Sequence, residues 1–283
     1  MPAIEIRPRR ATELVDAGFQ LLRRYYPQLF TLAAIAMAPS VIARVLLRDE
    51  LSDPTVMVSH PAPAILVTLI AVVCSTIADA VLILTASDGY LDGAVDLSRA
   101  LGKGIRKLVY VFIATIVRYM FVVVVGVVVA IAIPVLGLAH LQLLLIVIIP
   151  AAIWAFFYAM LRTFAVSQAV LLEDSGPLAA LDRSVRLSRS CSAHIFFTLG
   201  LVWLLYFITY GVAAAVAASL LSRAIAEIIA GIVMVAIYPL VAVVSTLLYY
   251  DLRVRKEGFD LEVMSRELGG EAQQSPSSPL PAA

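Results

Sequence analysis

The chain has 283 residues, 62% of them hydrophobic and only 14% charged, where a soluble globular domain carries about 25% charged residues. No soluble core absorbs that much apolar surface, so composition excludes an ordinary soluble domain. The net charge of +1 hides a segregation of Lys and Arg into particular segments, and a balance so near neutral gives no reason to expect nucleic acid as a partner.

The basic stretch MPAIEIRPRR (residues 1–10) is followed by an amphipathic pattern rather than by an apolar region with a small-residue cleavage site, so it is expected to be retained. From Ala11 to Phe30, Leu14, Gly18, Leu21, Leu22 and Tyr25 fall on one helical face and Glu13, Asp16, Gln20, Arg23 and Arg24 on the other. Pro27 then opens the first apolar run. The same pattern returns in GAVDLSRALGKGIRK (Gly93 to Lys107), where Leu97, Ala100, Leu101 and Ile105 oppose Asp96, Arg99, Lys103, Arg106 and Lys107. It returns again in GPLAALDRSVRLSRS (Gly176 to Ser190). Aligning Leu14, Leu97 and Leu181 brings Ala17, Ala100 and Ser184 into register at steps of 83 and 84 residues. A threefold repeat is expected, each copy a basic interfacial helix followed by a transmembrane hairpin.

Six runs reach the roughly 20 apolar residues that a hydrocarbon core requires, at about 29–47, 64–86, 108–135, 141–165, 194–221 and 226–249. The expected fold is an all-α polytopic bundle of six spans over residues 11–262, with a disordered tail at 263–283. With the N-terminus in the cytoplasm, 17 of the 21 Lys and Arg fall in inner segments, which predicts that both termini are cytoplasmic. The third run is near 40 Å long at 1.5 Å per residue and must tilt or begin in the interface. Pro150 and Pro239 are candidate kinks, and Gly211, Ala215 and Ser219 form a small-residue row suited to helix packing.

Signals for catalysis are thin. Cys74 and Cys191 lie in or beside apolar runs with no CxxC or Cys/His cluster, which argues against a disulfide framework or a zinc site. His60, His140 and His194 have no carboxylate or Cys at ligand spacing. The glycines of Leu101-Gly102-Lys103-Gly104 lack the rest of a phosphate-binding loop. Glu173 and Asp174 precede a helix, where negative charge favours the helix dipole. No metal or cofactor is expected.

The charges that need a reason are Asp79, in the second run, and Arg118, in the third. An ionisable residue at membrane depth marks a functional site by default, but the depths of the two are compatible and the expectation is a stabilising interhelical charge pair, with a transport role as the alternative. Arg23, Arg24, Arg99, Lys103, Arg106, Lys107, Arg183, Arg186 and Arg189 are the expected contacts to anionic lipid headgroups on the cytoplasmic face.

Two stretches, LLEDSGPLAALDRSVRLSRS (Leu171 to Ser190) and YYDLRVRKEGFDLE (Tyr249 to Glu262), resemble the bacterial membrane-domain family named after the membrane portion of certain glycerophosphoryl diester phosphodiesterases. The likeness runs roughly from Ala11 to Glu262. It implies a multi-span helical protein of the bacterial cytoplasmic membrane whose membrane domain has no established biochemical role. In that family the phosphodiesterase is a separate barrel following the spans. The chain ends some twenty residues after Glu262, so the hydrolytic activity is not expected here. A non-catalytic membrane-embedded accessory or scaffold in a lipid or envelope context is therefore the expectation. A transporter or channel using Asp79 and Arg118 is the alternative.

Overall fold

The structure, a computed structural model, describes residues 8–51, 59–138 and 142–259. Among these residues every regular element is helical, and six helices are long and apolar enough to cross a membrane.

Helix α1 (Ala11–Leu46) begins where the Glu13 carboxylate accepts from the backbone N–H of Arg10 at 3.2 Å, satisfying a donor that the first turn leaves open. It runs through the expected junction between amphipathic segment and span, but Tyr25 leaves helical geometry (φ −115°, ψ 20°) two residues before Pro27. A proline ring collides with the carbonyl four residues back, so the chain bends there without ending the helix.

Helix α2 (Ala62–Leu91) opens on Pro61 and Pro63, whose missing N–H groups fall where a helix has no acceptor for them. It closes at Asp92, and Gly93 supplies the left-handed turn (φ 64°). Asp96 then accepts from Arg99 N–H at 3.0 Å, capping α3 (Leu97–Leu138). No break separates the basic segment of α3 from the run beginning at Leu108. Its 42 residues make a rod about twice as long as a hydrocarbon core is thick.

A short 3-10 turn (Gln142–Leu144) leads into α4 (Leu145–Thr163), which breaks at Phe164 and resumes as the buried α5 (Val166–Leu172). Helix α6 (Pro177–Ser188) covers the third segment expected to be amphipathic, and Ser190 (φ 64°) sets it apart from α7 (Ser192–Leu220). Helix α8 (Arg223–Glu257) overruns the expected end of the last span by about two turns, because Asp251, Leu252 and Val254 still pack inside, and it stops at left-handed Gly258.

Helix α8 is the column on which the rest leans. A β-carbon at Gly18 of α1 would lie 2.3 Å from Cγ2 of Val244, and one at Gly231 would lie 2.5 Å from Cγ1 of Val41, so glycine sets the approach of α1 to α8 at two levels. The arc of Leu14, Leu21, Leu22 and Tyr25 is buried in this contact and against α2. The first amphipathic face thus meets protein, whereas Leu97, Leu101 and Ile105 on α3 and Leu178 on α6 are exposed.

Burial is uneven among the long helices. In the most apolar stretch of α8, 44% of residues are buried, and in those of α3 and α4 none are. The row of Gly211, Ala215 and Ser219 on α7 is also exposed, with nothing within 4 Å of a β-carbon at Gly211 among the described residues. Cys74 is buried, Cys191 is partly exposed, and both are free thiols.

Candidate functional site at the basic end

Arg9 and Asp251 bring the two ends of the described chain together. The Arg9 N–H donates to Asp251 Oδ1 at 2.7 Å, so the start of α1 and the end of α8 lie at the same end of the bundle. Asp251 is only 2% exposed and is well satisfied there: His194 Nε2 lies 3.0 Å from Oδ2, and Arg255 Nε donates to the same oxygen at 2.7 Å. His194, whose sequence neighbourhood offers no carboxylate, meets one 57 residues away.

One turn to the side stands a second acid. Glu173 follows α5 and accepts from both Nε and Nη2 of Arg183 at 2.8 Å, from the Tyr249 hydroxyl, and faces Arg253 Nε at 3.7 Å. The fork of Arg183 also reaches Glu257, donating from Nη2 to Oε2 at 2.7 Å, and Glu257 accepts from Arg253 as well. Burial alone would push the Glu173 carboxyl up, but the hydrogen bonds from Arg183 and Tyr249 and the charge of Arg253 hold it below the usual carboxylate range. Glu257 and Glu173 in turn hold Arg183 above its ordinary value. These contacts tie α5, α6 and α8 into one unit.

Asp174 adopts φ 54° and takes Lys107 at 3.2 Å and Lys103 at 3.4 Å, pinning the first turns of α3 to the same loop. The slight burial of Asp174 opposes ionisation, but the two lysines outweigh it and its carboxyl lies below the ordinary range. The two acids therefore act as interhelical pins, a stronger role than charge placed near the α6 dipole. Nearby, Ser184 Oγ donates to Arg162 O at 2.7 Å and accepts from Ala165 N–H at 3.2 Å, repairing the break between α4 and α5.

The nine basic residues assigned to lipid by sequence divide accordingly. Arg183 is engaged by two carboxylates, and Lys103 and Lys107 share Asp174. Arg186 pairs with Asp182 on the surface, and Arg99 stands 3.8 Å from Asp92. Arg24 is exposed and reaches Gly93 O at 3.3 Å, where the Tyr25 hydroxyl also donates at 2.6 Å. Arg23, Arg106 and Arg189 are exposed, with the Arg106 Nε turned to Gly102 O.

Between the last turn of α2 and the first turns of α3, backed by α8, lies a pocket of about 460 Å³. Its walls carry Asp88, Asp92, Arg99, Lys103, Glu173 and Arg253, and its apolar lining includes Leu84, Leu91 and Leu172. The Ser87 and Tyr250 hydroxyls, 2.7 Å apart, and the Phe259 ring stacked on Tyr250 complete it.

Asp79 lies deeper. Its Oδ1 accepts from the Tyr238 hydroxyl of α8 at 2.7 Å. Arg118 acts on it through space without supplying that hydrogen bond: its guanidinium sits over the Tyr119 ring, 5.1 Å from the centroid, and its Nε has no hydrogen-bond partner. Asp79 thus takes its hydrogen bond from a tyrosine, with the charge of Arg118 acting on it from beyond hydrogen-bonding distance. His140 lies outside the described residues, and His60 is exposed. No group of three or more His, Cys, Asp or Glu placed to hold a metal ion occurs among the described residues.

No family model matches the chain, and neither a curated protein nor a solved structure does.

The residues that sequence reasoning missed are Glu173 as a hub, Tyr249, Arg253, Glu257, Asp251 and Tyr238. One signal was present: in YYDLRVRKE, Tyr249, Arg253 and Glu257 recur every four residues, one helical face carrying an acceptor and two donors beyond the apolar run.

Proposed function

We propose that this is a multi-pass membrane protein, its basic end in the cytoplasm, that acts without catalysis as a membrane-embedded accessory or scaffold in contact with phospholipid. The orientation rests on the positive-inside rule applied to an end where Arg9 and Asp251 meet. The three basic amphipathic helices are then copies of one interfacial unit; Ala17, Ala100 and Ser184, in register by sequence, are all buried. The bacterial membrane and the lipid or envelope context come from the family resemblance alone.

One observation carries the non-catalytic reading. At the basic end Glu173, Arg183, Glu257 and Asp251 are each satisfied by protein partners instead of converging on a reacting point. The lining of the pocket stops at Leu84, more than one helical turn short of Asp79.

The transport alternative draws on one feature, the unpartnered Arg118 Nε beside the Asp79–Tyr238 hydrogen bond. Both readings meet in one experiment. Full-length protein is reconstituted in vesicles under a pH gradient and a salt gradient, and a photocrosslinking residue placed at Arg23 or Arg189 reports neighbours in intact cells. The scaffold reading expects no protein-dependent flux and crosslinks to lipid or to a discrete protein. Flux that Asp79→Asn abolishes would replace it with transport.

A further inference from the structure

The pocket between α2 and α3 has an unusual balance of charge. Asp88 and Asp92 stand four residues apart on the last turn of α2, and Arg99 and Lys103 stand four apart on the first turns of α3 opposite. Equal spacing puts each pair on one helical face, so an acidic row and a basic row look at each other across the opening. They do not close on each other. Arg99 and Asp92 approach only to 3.8 Å, with both side chains mostly in solvent, and Lys103 leans away to Asp174. The Asp88 carboxylate, half-buried, makes no side-chain hydrogen bond or close ion pair among the described residues, although the charges of Arg99 and Lys103 across the opening act on it.

From this placement we infer that the pocket binds a zwitterionic aminoalkyl phosphate, the ammonium at Asp88 and Asp92 and the phosphate at Arg99 and Lys103. The inference rests on the phospholipid-contact reading above and names the headgroup. Glu173 and Arg253 also line the space but are engaged with each other and with Arg183 and Glu257, so a purely anionic group entering it is opposed by Asp88 and Asp92 and a purely cationic one by Arg99 and Lys103; a net-neutral group with separated charges suits both rows. A primary ammonium brings three N–H donors for a carboxylate with no protein donor, whereas a trimethylated amine brings none. The volume, about 460 Å³, suits a headgroup rather than acyl chains. Leu84 and Leu91 offer an apolar wall for its methylenes. Asp88 lies two residues past the expected end of the second span, at headgroup depth. An ethanolamine phospholipid supplies this chemistry from the membrane, and soluble glycerophosphoethanolamine supplies it from water.

The test is native mass spectrometry of the full-length protein in detergent, titrated separately with phosphatidylethanolamine, phosphatidylcholine, phosphatidylglycerol and glycerophosphoethanolamine. The ethanolamine lipid should be retained about tenfold better than the choline lipid, the difference expected for one charge-assisted hydrogen bond. Asp88→Asn should remove that preference, Asp88→Glu should keep it, and Arg99→Gln with Lys103→Gln should weaken retention of every phospholipid. Thermal unfolding of each variant in detergent confirms that it is folded. Binding of glycerophosphoethanolamine with the same dependence on Asp88 supports a soluble source, and its absence supports the lipid. Equal retention of the ethanolamine and choline lipids, or a preference that survives Asp88→Asn, overturns the inference. Stronger retention of phosphatidylglycerol overturns it while leaving phospholipid contact intact; retention of no phospholipid removes both.

Discussion

Tyr238 and Tyr249 lie three turns apart on α8, and each donates its hydroxyl to an acid on another element, Tyr238 to Asp79 and Tyr249 to Glu173. What surrounds the two acids differs. Glu173 sits at the basic end with Arg183 bidentate on it and Arg253 beside it, and Arg183 is itself shared with Glu257. Asp79 sits in an apolar helix with one hydrogen bond and a cation that acts only through space. A carboxylate fixed by several charge-assisted hydrogen bonds is a structural pin; one held by a single neutral donor is open to change of charge or partner. The comparison separates what holds this bundle from what it leaves unsettled.

The largest effect should come from Arg183→Gln. It leaves Glu173 and Glu257 with Arg253 as their one shared cation at a partly buried site, and removing one partner of such a cluster costs about 3 kcal/mol. Unfolding in mixed detergent micelles measures it, and a loss below about 1 kcal/mol would demote the cluster to surface decoration.

Gly18→Ala comes next. The added carbon would lie 2.3 Å from Cγ2 of the fully buried Val244, and overpacking of this kind costs roughly 1 to 3 kcal/mol. Gly211→Ala, on the exposed row of α7, is the control and should leave stability unchanged or raise it by up to about 1 kcal/mol.

Tyr238→Phe should cost about 1 kcal/mol, the net worth of one hydrogen bond. Asp79→Asn should cost less, because the amide oxygen still accepts from Tyr238. If Asp79→Asn is instead as severe as Arg183→Gln, the intramembrane charge is a pin after all.

Acid should act on one site before the other features matter. Glu173 and Asp174 have folded-state pKa values depressed below their unfolded values of about 4.3 and 3.9. Their stabilisation is therefore fully present above those values and lost as pH falls through the lower folded ones. Detergent unfolding followed from pH 6 to pH 3 should show this loss, and Glu173→Gln should reduce it, with the share of Asp174, Asp251 and Glu257 remaining.

Much of this architecture was legible in the sequence, and for one reason: membrane spans announce themselves by local hydrophobicity. The six long helices fall on the six apolar runs, and even the junction at Tyr25 and Pro27 survives as a kink. The charge network was not legible, because its pairs are remote in sequence. Arg183 finds Glu257 at a separation of 74 residues, and Tyr249 finds Glu173 at 76. Reading LLEDSG locally assigns its acids to the nearest helix dipole; only the packing of α8 against α5 and α6 turns them into pins. Asp79 and Arg118 stand out equally as charges in apolar runs, but composition could not show that the hydroxyl of Tyr238 would be the group to hydrogen-bond Asp79.

Two double-mutant cycles run side by side in detergent unfolding test the contrast most directly. The Glu173→Gln, Arg183→Gln cycle should give a coupling of about 2 kcal/mol, and the Asp79→Asn, Arg118→Gln cycle, whose charges meet only through space, a smaller one of about 0.5 to 1 kcal/mol. The reverse order, with strong coupling across Asp79 and Arg118 and additivity at Glu173 and Arg183, would contradict the account.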